Sequence, residues 1–348
     1  MSRITGTSND VAAPLASGDA EFIARLRRVD ARRLLADTPS TEETLDLVAS
    51  ARIPEAVVQL ESKAAQGDRD ANVVLAQLSR LCAGDDAATQ PGVPSDAARG
   101  PLEALPAVLR QRIELSRAVA QRERDEFDRA CARVRFDAAA IDARLADAAA
   151  AGHEASLWEI GWRSDDPQLR HKHWLSAAML GYVPAQVGLA ETLMSESLQG
   201  DRRNRGRMNF WLEAAAKQSP RALLLLGECR LEGCNALPPD AESAVALLRD
   251  AAMRGQVGAL AALAAIPRGD PAAPTDAELF SLHAFHSQLN ELGCFGASPY
   301  GSLAVESGRA IKELGSRMSP HGLEEARTLA AQLWREHAAQ ARHIQGCD

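Results

Sequence analysis

An alanine pair returns in this chain at a fixed interval. Ala177-Ala178, Ala214-Ala215 and Ala251-Ala252 stand 37 residues apart, and Ala185, Ala222 and Ala259 follow at the same spacing. A period of that length holds one helix-turn-helix unit. Such a unit cannot bury its apolar face alone, so units stack side by side in a row. The spacing therefore predicts an elongated array of helical hairpins and argues for a binding scaffold. It does not say what is bound.

Composition agrees with closely packed helices. Apolar residues make up 46% of the 348 and aromatics only 4%, so the core must come mainly from Ala, Leu, Val and Ile. No series of alternating Val, Ile and Thr bounded by turns marks strands, and the expected class is all-α, a right-handed α-solenoid. A net charge of −8 argues against nonspecific nucleic-acid binding by the chain as a whole. No apolar run reaches 18 residues, so no membrane-spanning helix is expected.

Residues 1–19 are small and polar and read as a disordered lead, without a basic-then-apolar signal. The expected compartment is the cytoplasm as the chain is written, with the periplasm or envelope as the alternative if a leader has been removed. The six cysteines, Cys82, Cys131, Cys229, Cys234, Cys294 and Cys347, contain no CxxC pair, which removes zinc-site and thioredoxin-like readings. An even count permits disulfides, but the favoured reading in a chain this long is reduced structural thiols.

The N-terminal region, 20–150, reads as helical. A helix is expected over 21–36, crowded with Arg25, Arg27, Arg28, Arg32 and Arg33, and another from Thr41. A degenerate repeat lies near 54–82, with a turn at Gly67-Asp68. Gly, Asp, Ser and Pro then make a loop of 83–101. Residues 110–151 contain no Pro or Gly and predict one long helix or two abutting ones. Their apolar positions, among them Ile113, Val119, Phe127, Ala130, Val134, Ile141 and Leu145, imply one buried face rather than a heptad seam. The repeat solenoid occupies 151–348, clearest over 154–265. It ends in an amphipathic helix, 323–341, whose charged residues Glu324, Glu325, Arg327, Arg335 and Glu336 suit a cap.

The cleanest unit starts at Ala222. Leu226 and Gly227 follow, then Gly233, Asp240, Ala244, Leu248, Ala251-Ala252, Gly255 and Ala259. Small residues let two helix backbones approach. Gly233 supplies a left-handed end to the first helix, Asp240 caps the second, and Gly255 permits the reversal into the next unit. This unit resembles the Sel-one-like repeat family, relatives of the tetratricopeptide repeats. The shorter piece recurs at Ala64/Gly67/Ala71, Ala178/Gly181/Ala185 and Ala252/Gly255/Ala259, and more weakly at Ala149/Gly152/Ser156. Trp174, Trp211 and Leu248 fill the family's aromatic position, where they are expected to pack between helices. Gln218 replaces one turn glycine, Arg230 stands where the family has Tyr, and Glu196 where it has a helix-ending Gly. The resemblance implies a non-enzymatic scaffold for protein partners, of a kind frequent in bacterial envelopes and host-facing systems; such folds carry many roles.

No catalytic motif stands out: GxSxG, HExxH, P-loop and GxGxxG are all absent. His171 and His173 are two apart and point to different sides of a helix. His283 and His286 are three apart with Cys294 nearby, but a surface or core histidine pair is favoured over a metal site. The expectation is therefore no metal and no cofactor. The candidate binding residues are Arg202, Arg203, Arg205 and Arg207, clustered in an inter-helix loop able to grip acidic groups. The leading function is a protein-interaction scaffold, regulatory or inhibitory in role, holding a protein or peptide on its concave face. The alternatives are an enzyme or enzyme subunit with its site in 83–150 or 275–320, and nucleic-acid binding through the arginine loop.

Overall fold

The computed structural model describes residues 17–35, 38–84, 107–198, 205–233 and 239–347. Among them every regular element is helical. The chain forms α1 (Ser17–Leu34), α2 (Glu42–Ala49), α3 (Ile53–Ala65), α4 (Arg69–Ala83), α5 (Ala107–Cys131), α6 (Ala138–Ala150), α7 (Glu154–Arg163) and α8 (Pro167–Met179). It continues through α9 (Val183–Leu198), α10 (Arg205–Ala215), α11 (Pro220–Glu232), α12 (Ala241–Met253), α13 (Gly258–Ala265), α14 (Asp276–Glu291), α15 (Ala297–Arg317) and α16 (Pro320–Gln345). Residues 85–101 of the expected loop lie outside the described residues, as do residues 1–16 of the expected lead.

Local signals set the helix boundaries. Thr41, Asp68, Asp137, Asp166, Ser219, Asp240, Thr275 and Ser319 each cap a helix, their side-chain oxygens accepting a backbone N–H of the first turn. Residues 132–137 divide the stretch between α5 and α6 into two helices rather than one.

The hairpins stack in the order the period predicts. α7 packs on α8, α8 on α9, α9 on α10, α10 on α11, α11 on α12 and α12 on α13. First helices of neighbouring units also touch at two places in the row, α4 on α7 and α11 on α13. Within units the repeat's small residues meet its large ones. Trp174 and Trp211 are buried, and the Trp174 indole N–H donates to the Trp158 carbonyl at 3.2 Å. A Cβ added at Gly161 would sit 2.2 Å from Trp174 Cδ1, and one at Gly227 would sit 2.7 Å from Leu248 Cγ. Gly161→Ala is therefore expected to lower the urea-unfolding free energy by about 1–3 kcal/mol through overpacking, and an unchanged midpoint would contradict this contact.

α4 pairs with α6, so α5 is looped out of the row. A disulfide joins Cys82 at the end of α4 to Cys131 at the end of α5, and the chain leaves and returns at one place. α5 itself crosses to α15, α3 and α1. Its apolar face is accordingly split: Ile113 and Val119 pack with Phe22, Leu26, Ala297 and Ala304, whereas Ala130 joins Ile141 and Leu145 in the N-terminal core.

The two ends of the row meet. Val29 of α1 shares a core with Phe285, Leu289, Phe295, Ala338 and Ala341, and Arg25 donates to the Leu292 carbonyl at 3.0 Å. α16 packs on α14 and α12. Its charged residues Glu324, Glu325, Arg327, Arg335 and Glu336 are exposed, as a cap requires, but its tail also receives α1. The expectation of reduced thiols is corrected. Cys294 pairs with Cys347, Cys229 is disulfide-bonded as well, and none of the described cysteines is free. Cysteines 49 and 53 residues apart are brought together by helix packing that no local spacing reveals.

Candidate functional site

The first helices of successive units carry side chains at equivalent positions. Six residues beyond Ser156, Ala185 and Ala222 stand Trp162, Glu191 and Glu228. Trp162 packs edge-on against Trp158 at 5.7 Å and lies 5.0 Å from Trp174. The Arg80 guanidinium sits 5.5 Å above its ring. Arg221 Nε donates to Glu191 at 3.0 Å, bridging α11 to α9. Half-burial raises the Glu228 carboxyl above the usual range; Arg221 opposes that shift and Glu232 adds to it. The first helices thus carry an aromatic-arginine stack on α7 and the acidic residues Glu191 on α9 and Glu228 and Glu232 on α11.

Beneath the aromatic end lies a buried polar contact between α4 and α7. Arg80 grips Glu159 through two hydrogen bonds, Nε to Oε1 at 2.8 Å and Nη2 to Oε2 at 3.0 Å. The Glu159 side chain is 1% exposed, and Arg80 also donates to Gln77. Sequence reasoning missed this pair, because the partners are 79 residues apart. The available signal was a glutamate standing on the apolar face of an otherwise buried helix.

The arginine loop is only partly placed. Arg202 and Arg203 lie outside the described residues, Arg205 is the first residue of α10, and Arg207 is exposed on that helix. Large apolar side chains are also exposed: Phe210 at 62% on α10, Met179 at 74%, Leu180 and Leu169 on α8 or the turn after it, and Val58 at 68% on α3. Phe210 leans edge-on against Trp211 at 4.8 Å. It was overlooked beside the tryptophan that fills the repeat's aromatic position.

The His283, His286, Cys294 and Glu291 grouping does not assemble. His286 is fully buried, its Nε2–H donating to the Ala252 carbonyl at 2.7 Å, with its ring stacked on Phe295. Burial lowers its pKa to about 4, so it is neutral. Cys294 is spent in its disulfide and Glu291 is exposed. His283, its pKa also lowered by burial, faces a separate cavity of about 220 Å³ lined by Leu263, Ile266, Asp276, Leu314 and Arg317. His173, on α8, is lowered by burial and by Lys172. Among the described residues no group of three His, Cys, Asp or Glu is placed to hold a metal, and no helix is long and apolar enough to cross a membrane.

No family model matches the chain, and no curated protein matches it. Among solved structures it is similar to a protective antigen present in uropathogenic Escherichia coli strains, described as displaying an SLR fold. The two are 14% identical, with 94% of this chain and 86% of that one covered and a TM-score of 0.35. The fold therefore stands on the hairpins themselves: an all-α row of stacked helix-turn-helix repeats.

Proposed function

We propose that this chain is a non-enzymatic interaction protein that holds a partner protein or peptide against the inner face of its helical row. The observation that carries this reading is the register of α7, α9 and α11, which sets Trp162, Glu191 and Glu228 in line over three consecutive units. Recognition by such a row needs shape and charge rather than chemistry. The acidic residues of α9 and α11 and the net charge of −8 favour a partner with a basic patch, which would speed encounter and fix register. Arg202, Arg203, Arg205 and Arg207 are proposed as a second contact, for acidic groups of the same partner. Paired cysteines support an oxidising compartment, periplasm or envelope, over the cytosol.

A photo-crosslinking residue at Glu191 or Glu232 tests this in the native organism. It is expected to trap one partner repeatedly, whereas the same residue at Glu325 or Arg327 on α16 traps none. Glu191→Lys with Glu232→Lys should weaken capture of that partner at least tenfold while leaving helicity and melting unchanged. Equal labelling from both faces would overturn the reading. Changing all four arginines to alanine without loss of capture would remove the loop from the site.

A further inference from the structure

A cavity of about 220 Å³ opens between α13, α14 and α15. Those helices carry none of the partner contacts proposed above. Its long walls are apolar: Leu263 of α13, Ile266 just after it, Leu279 of α14 and Leu314 of α15. All four belong to one buried core, so packing behind them holds the walls in place. The polar side chains that line the cavity fall into two groups.

The first group gathers at one end. Asp276 opens α14 and Arg317 closes α15, and the two stand 4.0 Å apart. Arg268 reaches the same carboxylate at 3.3 Å, and Arg317 also pairs with Glu313. The charges balance, but the donors are in excess. A guanidinium has five N–H groups, and Arg268, 67% exposed, has no partner other than Asp276 among the described residues. Spare donors therefore remain at this end for a carboxylate, the anion that a guanidinium fork fits best.

The second group is His283 alone. It lies two turns further along α14, about 10 Å from Asp276. Its Nδ1 is sealed from water and has no hydrogen-bond partner. Burial lowers its pKa, so at neutral pH the ring carries one proton. A buried N–H left without an acceptor is rarer than a buried lone pair, which puts that proton on Nε2. Nε2 is not sealed, and the ring lines the cavity. The far end thus presents one neutral donor.

We propose that the cavity binds a small aromatic acid with an oxygen para to its acidic arm. The carboxylate lies at Arg268 and Arg317, the ring between Leu263, Ile266, Leu279 and Leu314, and the para oxygen accepts the His283 Nε2–H. Size agrees. An apolar cavity of about 150 Å³ takes up benzene, and this one, at about 220 Å³, holds a substituted ring. Para placement follows from the polar groups lying at opposite ends of the cleft.

Titration of the full chain with para-hydroxyphenylacetate is the test, read by calorimetry and by nitrogen-15 spectra of the histidine rings. One saturable site is expected, with the His283 Nε2 signal moving while that of His286, held by the Ala252 carbonyl, stays still. Phenylacetate, which lacks the para oxygen, should bind about tenfold more weakly, the worth of one hydrogen bond. In His283→Leu the two acids should bind alike. Arg268→Gln, at an exposed position that leaves the fold intact, should weaken both about threefold, as loss of an exposed ion pair does. No saturable binding at millimolar concentration, no preference for the para oxygen in the wild type, indifference to Arg268→Gln, or a His283 ring protonated on Nδ1 overturns the proposal. Should His283→Leu not fold, the wild-type spectra decide: a His283 signal that ignores the acid removes the site.

Discussion

Arg80→Met is expected to destabilise the protein by about 3–5 kcal/mol, because it strands a buried carboxylate. Glu159 is 1% exposed and sits on α7. Its two oxygens take the Arg80 Nε–H and Nη2–H from α4. This pair joins the N-terminal hairpins to the clear repeats, so its loss should also loosen α4 from α7. Replacing both partners, Arg80→Met with Glu159→Leu, should recover most of the loss, since a buried ion pair is close to break-even against well-packed apolar side chains. Urea unfolding of the wild type, both single variants and the double variant forms the cycle that measures this. A single Arg80→Met cost below about 1 kcal/mol would mean that water reaches the carboxylate and the contact is a surface pair.

Cys82→Ser with Cys131→Ser should cost nearly as much. Cross-linking cysteines 49 residues apart removes loop-closure entropy worth roughly 4 kcal/mol from the unfolded chain. The effect on α5 should be local as well, because the bond fixes where this looped-out helix leaves and rejoins the row. A fall in melting temperature of about 5 °C is expected, with α5 amides exchanging first. Reductant applied to the wild type should produce at least this change, since it also opens Cys294–Cys347, and a melting curve indifferent to reductant would show that the bond does not constrain the native chain.

What the sequence makes legible is what repeats. Ala177, Ala178, Ala215, Ala251 and Ala252 lie buried at helix contacts, while Ala214 is exposed, and the buried small side chains are the physical content of the period. The turns follow the same logic, including the exception. At Gly181 and Gly255 the chain takes positive φ, and Tyr182 and Gln256 donate to the carbonyls of Ala177 and Ala251. Gln218 has no such freedom. The next amide, Ser219 N–H, donates instead to the Ala215 carbonyl, one residue closer, and Ser219 then caps α11. The departure from the pattern was visible in the sequence, and the geometry shows how it is absorbed.

What does not repeat was not legible. The meeting of α1 with α14 and α16 joins residues such as Arg25 and Leu292, 267 positions apart, through contacts that no period encodes. α5 reads correctly as a helix with a buried face, but nothing local says that the face divides between two cores. The inner-face residues were hidden for a different reason: Glu191 and Glu228 occupy the repeat's variable positions, where a motif has nothing to say.

The account rests on a row of hairpins bent until its ends meet, with α5 looped out and sealed at its base. The most direct measurement is a peptide map of the protein taken from its native source with free thiols blocked before unfolding. The structure predicts linked peptides joining Cys82 to Cys131 and Cys294 to Cys347. A crossed pairing, such as Cys82 with Cys294, or free thiols at all four positions, would contradict it.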